Sequence, residues 1–379
     1  MKFICTQENL NKALAIVGKI TNKNSTLPIL DNILLKVKKG QLKLSSTNLE
    51  IGVNYWVGGK AEEDGEITVP TKLFVNFISN LPNGNIELKL RENVLNIKCN
   101  RYKTNIKGLD AKEYPLAPKL EVDFIFKVKN TDFKKALIQI FPAISSSESR
   151  IEITGVFMNL SKINKNKVVL VATDSYRLAE KSINLEKNNV NKEANNILGN
   201  VSSVIIPKDT VQELIRSLDE SEEMIEITIS ENQILFSFGS ASIISRLIEG
   251  KYPDYKQIIP DKFELQIAIN KDEIIKGIRI ASLFSSISNN SIEFKLLADS
   301  KNLEISSETS DLGNNSTKIP AENVNKSLNI LYNHKFLTDG FNSLEGNEVF
   351  LKLNNETLPT VLTSDVNKDF IYVIMPTRS

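Results

Sequence analysis

The chain has 379 residues, 41% of them hydrophobic and 25% charged, with a formal net charge of +1. That length exceeds one ordinary core and predicts two to three domains of roughly 100–200 residues, in the composition range of a folded globular protein rather than a disordered or membrane-embedded one. Near-neutrality excludes indiscriminate coating of nucleic acid, yet leaves DNA binding open if acidic and basic residues occupy different faces.

The N-terminal run Met1–Thr6 gives way to Gln7-Glu8-Asn9, too short an apolar stretch for a signal peptide. From Thr6 the spacing Leu10, Ala13, Leu14, Val17 predicts an amphipathic helix capped by the threonine. Short alternating runs follow at Ile33–Val37 and Leu42–Ser45 and predict half-buried antiparallel strands. A second helix is predicted after Val69-Pro70, through Phe74 and Phe77 to Leu81, with proline in the first turn, where no backbone N–H is needed. The alternating strand Ile86–Leu90 comes next.

This pattern then repeats. Phe133, Ala136, Leu137 and Ile140 restate the first helical stripe behind Asn130. Val168–Ala172 reads as another half-buried strand, and 188–200, rich in Asn and Lys, reads as a polar surface loop. Ile206-Pro207 opens a helix through Val211, Leu214 and Leu218, followed by the strand Ile225–Ile229. A third copy begins with Ile274, Gly277, Ile278 and Ala281 behind Asn270, and continues with Tyr332–Leu344 and the strand Val349–Leu353. Self-similarity at domain length predicts an α+β chain of three tandem domains, each two helices packed on antiparallel sheet. The boundaries fall near 119–123 and near Tyr252–Tyr255, giving domains 1–122, 127–251 and 252–379.

Chemistry is mostly excluded. Cys5 and Cys99 are the only cysteines and His334 the only histidine, which excludes a disulfide framework and His-pair zinc sites and speaks against a Ser-His-Asp triad. Phosphate-cradling glycine motifs are absent, and no apolar stretch approaches the ~20 residues of a membrane span. Neither a metal nor a cofactor is called for. The outward helix faces carry Lys12 and Lys19, then Lys134 and Lys135, then Lys276 and Arg279.

The triplication, in this order of helices and strands, resembles the bacterial beta sliding clamp family, the beta subunit of DNA polymerase III. Four segments carry the likeness in order along the chain: Thr26-Leu27-Pro28-Ile29-Leu30, Val171–Ala179 (V-A-T-D-S-Y-R-L-A), Tyr252-Pro253-Asp254-Tyr255 and Tyr372–Ser379 (Y-V-I-M-P-T-R-S). The resemblance implies a cytoplasmic bacterial protein without catalytic activity. It implies a head-to-tail homodimer, a six-domain ring with twelve helices facing a channel and a continuous sheet outside. Duplex DNA would be held by topology through few, sequence-independent phosphate contacts. Further partners would be the polymerase III alpha subunit, the clamp loader and repair proteins bearing a clamp-binding motif.

Carried over by motif, DNA-facing residues would be Lys12, Lys19, Lys23, Asn24, Lys72, Lys134, Lys135, Arg150, Lys208, Lys276 and Arg279. A partner-peptide pocket between the second and third domains would use Ile153, then Thr173, Ser175, Tyr176, Arg177 and Leu178, then Pro253, Gln257 and Ile258. The C-terminal run Val373, Ile374, Met375, Pro376, Thr377 and Arg378 would complete it. Apolar groups and a flexible Met suit aliphatic or aromatic anchors, with backbone and Arg groups fixing orientation. Several positions depart from the family: Asn24-Ser25 where Arg is frequent, Ser175-Tyr176 for Gly-His, Gln257 for Arg, and Thr377 and Ser379 for apolar residues. Subunit contacts would come from the strand Lys103–Leu109 with Lys103, Thr104 and Ile106, and from Leu283-Phe284, with Ile106, Leu283 and Phe284 as exposed apolar adhesive. Two competing readings are an interaction protein that forms no ring and an enzyme built on paired carboxylates.

Overall fold

The computed structural model describes residues 1–20, 27–115, 124–185, 202–285, 290–298, 300–310 and 312–377. Among them one order of elements recurs. The first copy comprises β1 (Lys2–Thr6), α1 (Gln7–Val17), β2 (Asn32–Lys38), β3 (Gln41–Thr47), β4 (Ile51–Val57), β5 (Lys60–Glu63), β6 (Gly65–Pro70), α2 (Thr71–Ser79), β7 (Asn85–Arg91), β8 (Val94–Cys99) and β9 (Tyr102–Lys107). The second comprises β10 (Phe124–Lys129), α3 (Asn130–Ile140), β11 (Gly155–Asn159), β12 (Lys167–Thr173), β13 (Arg177–Asn184), β14 (Ser203–Pro207), α4 (Lys208–Ser217), β15 (Met224–Ile229), β16 (Gln233–Phe238) and β17 (Ala241–Arg246). The third comprises β18 (Leu265–Asn270), α5 (Lys271–Ser282), β19 (Ser291–Leu296), β20 (Asn302–Thr309), β21 (Gly313–Glu322), β22 (Leu328–Asn333), α6 (His334–Ser343), β23 (Glu348–Leu353), β24 (Thr360–Ser364) and β25 (Phe370–Ile374). Among the described residues only β5 lacks a counterpart in the other copies.

The helical stripes fall as spaced. α1 buries Leu10, Ala13, Leu14 and Val17, α3 buries Phe133, Ala136, Leu137 and Ile140, and α5 buries Ile274, Gly277, Ile278 and Ala281. The second position is small in every copy because the sheet presses on it. A Cβ on Gly277 would lie 2.5 Å from Cδ1 of Ile319. Thr6 caps α1 by accepting from Asn9 N at 3.2 Å, and Asn270 caps α5 by accepting from Asp272 N and Glu273 N. An equivalent tie joins sheet to helix in two copies: the Ser46 hydroxyl donates to Val17 O and the Ser307 hydroxyl to Ala281 O, each at 2.6 Å.

Pro70 and Pro207 sit one step earlier than the first helical turn, as the last residues of β6 and β14. Both are edge strands, where a missing N–H removes no ladder bond that the sheet needs.

The strands form three antiparallel sheets, in the orders β5-β1-β7-β8-β9, β10-β15-β16-β17-β4-β3-β2-β6, and β14-β11-β12-β13-β25-β24-β23-β18-β21-β20-β19-β22. They belong to two compact units. One holds the described residues up to Lys134 and from Asp209 to Leu247; the other holds Lys135–Asn184, Ser202–Lys208 and the chain from Ile248 onward. The first two sheets lie in the former unit and the third in the latter, so the middle repeat contributes strands to each.

The prediction of a half-buried strand at Val168–Ala172 needs correction. All of Val168–Thr173 is buried, because Val169 and Val171, on the face turned away from the helices, are themselves covered. What covers them is the candidate site.

Candidate functional site at the second strand junction

The middle repeat meets the third through β13 and β25, paired antiparallel from Arg177↔Ile374 to Lys181↔Phe370. A polar frame sets the turn that leads into β13. The Thr173 hydroxyl donates to Arg177 O at 2.7 Å and accepts from Ser175 N at 3.2 Å. Asp174 Oδ1 accepts from the backbone N–H groups of Tyr176 and Arg177, each at 3.0 Å. Such a carboxylate closes the turn where no ladder partner exists. It drives Ser175 to φ 77°, a left-handed conformation that glycine adopts more readily than serine. Across the junction, Met375 N donates to Tyr176 O at 2.9 Å.

Behind the frame lies an apolar cluster of Ile153, Val169, Val171, Leu178, Ile205, Tyr252, Tyr255, Val361 and Val373, with Phe157, Ile248, Ile259, Phe263 and Ile371 half-buried against it. Phe157 stacks on Tyr252 at 4.6 Å between centroids and meets Tyr255 edge-on at 6.3 Å. Burial raises the pKa of both tyrosine hydroxyls. Of the residues expected from sequence, Ile153, Thr173, Leu178, Val373 and Ile374 are buried here, and Pro253, Met375, Pro376 and Thr377 are half-buried. Ser175, Gln257, Ile258 and Tyr176 are exposed, Tyr176 by 64%. Gln257 Nε2 donates to Asp254 Oδ2 at 2.8 Å. Arg378 lies outside the described residues. The arrangement is a buried apolar cluster bordered by exposed polar groups.

Arg177 departs from its expected part. Its side chain is 11% exposed and already committed. Nε donates to Asp174 Oδ2 at 3.0 Å, and Nη1 donates to Asp339 Oδ2 and, at 3.3 Å, to the Tyr372 hydroxyl. The guanidinium also lies over the Phe336 ring at 4.4 Å, against which Tyr176 stacks as well. Burial opposes its charge, but Tyr372, Asp339 and Asp174 outweigh it and the pKa is raised. Arg177 therefore braces β13 against α6 and β25 rather than offering a free donor. Phe336 and Asp339, which the sequence reading did not single out, and Tyr372, the first residue of the C-terminal motif, are its sockets.

Profiles of the DNA polymerase III beta subunit match the chain in three consecutive stretches: the N-terminal domain over residues 1–118, the central domain over 127–254 and the C-terminal domain over 256–378. The chain belongs to the DNA polymerase III beta subunit family. A beta sliding clamp of Staphylococcus aureus is 29% identical over 389 residues, spanning the whole of both chains. The crystal structure of the sliding clamp from Bacillus subtilis superposes with a TM-score of 0.91 at 26% identity, over 100% of this chain and 99% of that one. The sliding clamp of Bartonella birtlesii bound to griselimycin gives a TM-score of 0.91 at 25% identity, over 100% of both chains. Membership makes this a DNA sliding clamp, a non-catalytic subunit of the polymerase.

In this beta-subunit chain the candidate DNA-facing cations divide by environment. Lys12, Lys135 and Lys276 hold one position in the repeats, two residues past the first core residue of α1, α3 and α5. Lys12, Lys19, Lys72, Lys276 and Arg279 are exposed without an ion pair among the described residues. Lys135 pairs with Glu345 at 2.7 Å, Lys134 lies 3.9 Å from Glu220, and Lys208 Nζ donates to Ser146 Oγ at 2.8 Å. Arg150 stands beside the junction, where its Nη1 donates to Ser175 Oγ at 3.2 Å and its Nε to Glu152 at 3.0 Å. Lys23 and Asn24 lie outside the described residues.

Ile106 is also corrected. Alternation along β9 turns it inward and leaves it 3% exposed, so it is core and not adhesive; Tyr102 and Leu109 are the exposed apolar residues of that segment. Lys103 is exposed and Thr104 half-buried. Leu283 is 68% exposed and Phe284 half-buried. Among the described residues no helix is long and apolar enough to cross a membrane.

Proposed function

We propose that two copies of the chain join head to tail into a closed ring around duplex DNA. Strand pairing carries this reading. β17 of the second repeat pairs with β4 of the first, and β25 of the third pairs with β13 of the second, each time the last strand of one repeat on the fourth strand of the repeat before it. Applied once more, the rule finds no partner among the described residues of the chain. Among them β9 pairs only with β8, and β21 from Gly313 to Pro320 pairs only with β20. Unpaired edges are liabilities that native proteins cover, and two different edges call for a heterologous contact that closes when the rotation closes. Keeping the internal registers (Ser245↔Ile51, Ile374↔Arg177) sets Ile106 opposite Gly313 and Thr104 opposite Asn315.

The three repeats are placed at 1–122, 127–251 and 252–379. Lys12, Lys19, Lys72, Lys276 and Arg279 would meet phosphates without reading sequence, which permits sliding. The second junction would receive short peptides of the polymerase alpha subunit, the clamp loader and repair proteins. The griselimycin held by the Bartonella relative supports ligand capture by this fold. Such a protein works in the bacterial cytoplasm.

Retention on DNA tests the ring. Protein loaded on a nicked circle should stay through a high-salt wash and be lost on linearisation. Retention on the linear product, or a solution mass that stays at the 42.5 kDa of one chain, would contradict it.

A further inference from the structure

We propose that the first strand junction is a second docking site, for a short extended peptide that carries aliphatic side chains between an acidic and a basic residue. The turn into β4 copies the turn into β13 bond for bond. The Thr47 hydroxyl donates to Ile51 O at 2.9 Å and accepts from Leu49 N at 3.0 Å. Asn48 Oδ1 accepts from Glu50 N at 3.1 Å and Ile51 N at 2.7 Å. Leu49 sits at φ 77°, as Ser175 does.

The side chains hung on this frame differ from those of the second junction. A cavity of about 220 Å³ lies over the paired ends of β4 and β17, lined among others by Leu49, Ile51, Pro115 and Ile244. Glu50 and Arg246 line the same cavity. Arg246 N donates to Glu50 O at 3.0 Å, yet both side chains are exposed, and neither enters an ion pair or side-chain hydrogen bond among the described residues. A leucine held at positive φ with its side chain 49% exposed bears a strain cost and leaves apolar surface on the cavity wall. The volume is below the roughly 300–1,000 Å³ of sites that enclose a whole small molecule, and suits one or two anchoring side chains. The two unpaired charges complement a base and an acid flanking those anchors.

The probe is the capped tetrapeptide acetyl-Glu-Leu-Leu-Lys-amide, followed through isoleucine and valine methyl resonances of the full-length protein. The Ile51 and Ile244 methyls should shift saturably, and should still do so when the second junction is disabled at its rim by Tyr176→Ala with Ile258→Glu. Arg246→Glu, an exposed change, should weaken the effect at least tenfold, as should replacing both charged peptide residues by Gln. Unmoved Ile244 and Ile51 methyls at millimolar peptide overturn the proposal, as does undiminished binding to Arg246→Glu. Shifts confined to Val373 would assign all binding to the second junction and overturn it too. Shifts confined to Ile51 and Ile244 would leave it standing and count instead against the peptide reading of the second junction.

Discussion

The junctions at β4/β17 and β13/β25 share a backbone and differ in what it displays. In both, a Thr hydroxyl and an Asn or Asp side chain close the same turn and hold one residue at φ 77°. In the second, Leu178 and Val373 lie at the strand crossing and the cluster around Tyr252 seals Val169 and Val171. In the first, Gly52 and Ile244 take the places of Leu178 and Val373, and the outward residues of β3 are Lys43, set over Trp56, and Ser45, bonded to Asn54. The turn is thus a property of the repeat, whereas the floor is a property of each copy.

Substitutions can break this contrast, beginning with the floor. Val373→Asp should destabilise the protein by about 3–5 kcal/mol, the cost of an unpaired buried charge, whereas Ile244→Asp, at a half-buried position beside Arg246, should cost far less; thermal melts of the two proteins compare them directly. Equal losses would mean the two floors are equivalent. Next comes the brace. Arg177→Ala strands Asp339 and Asp174 and should cost about 3 kcal/mol, while Ile51→Ala at the equivalent place loses only packing. Arg177→Lys should not restore stability, since a point charge cannot satisfy Asp174, Asp339 and Tyr372 together. A fully stable R177K protein in a urea melt would refute the brace.

Smaller effects test the shared turn. Ser175→Gly and Leu49→Gly should each stabilise by roughly 0.5–1 kcal/mol, because glycine relieves the left-handed conformation at both sites; a gain at one site and a loss at the other would show that the frames are not equivalent. The smallest effect concerns the helices beside the first junction. Burial raises the pKa of Glu213 against the lowering by Ser217, Lys19 and Arg216. A carboxyl whose folded pKa is raised binds its proton more tightly when folded, so it weakens the fold at neutral pH and ceases to do so as pH falls below the ordinary carboxylate range. Glu213→Gln should therefore raise Tm slightly at pH 7 and leave it unchanged near pH 3. A lower Tm at pH 7 would reverse the sign.

The helical stripes and the threefold repeat were legible in the sequence because apolar spacing is local. Ile106 was expected at the surface from the resemblance alone, whereas alternation along β9 turns it into the core. The double burial of Val169 and Val171 was hidden because their cover, Tyr252 and Tyr255, lies more than eighty residues away. The partners of Arg177 were hidden for the same reason: Asp339 and Tyr372 come from the third repeat. The Tyr252–Tyr255 motif marked the place without revealing what it covers.

One measurement bears on the strand rule itself. Thr104→Cys and Asn315→Cys in one chain, oxidised and run without reductant, report how β9 meets β21; the native thiols Cys5 and Cys99 are buried and leave the background low. Directly opposed residues of antiparallel strands bring their Cβ atoms within reach of a disulfide. The pairing predicts a single covalent dimer, absent from either single-cysteine protein. Uncrosslinked monomer, or a ladder of open polymers, would contradict a rule that closes after two copies.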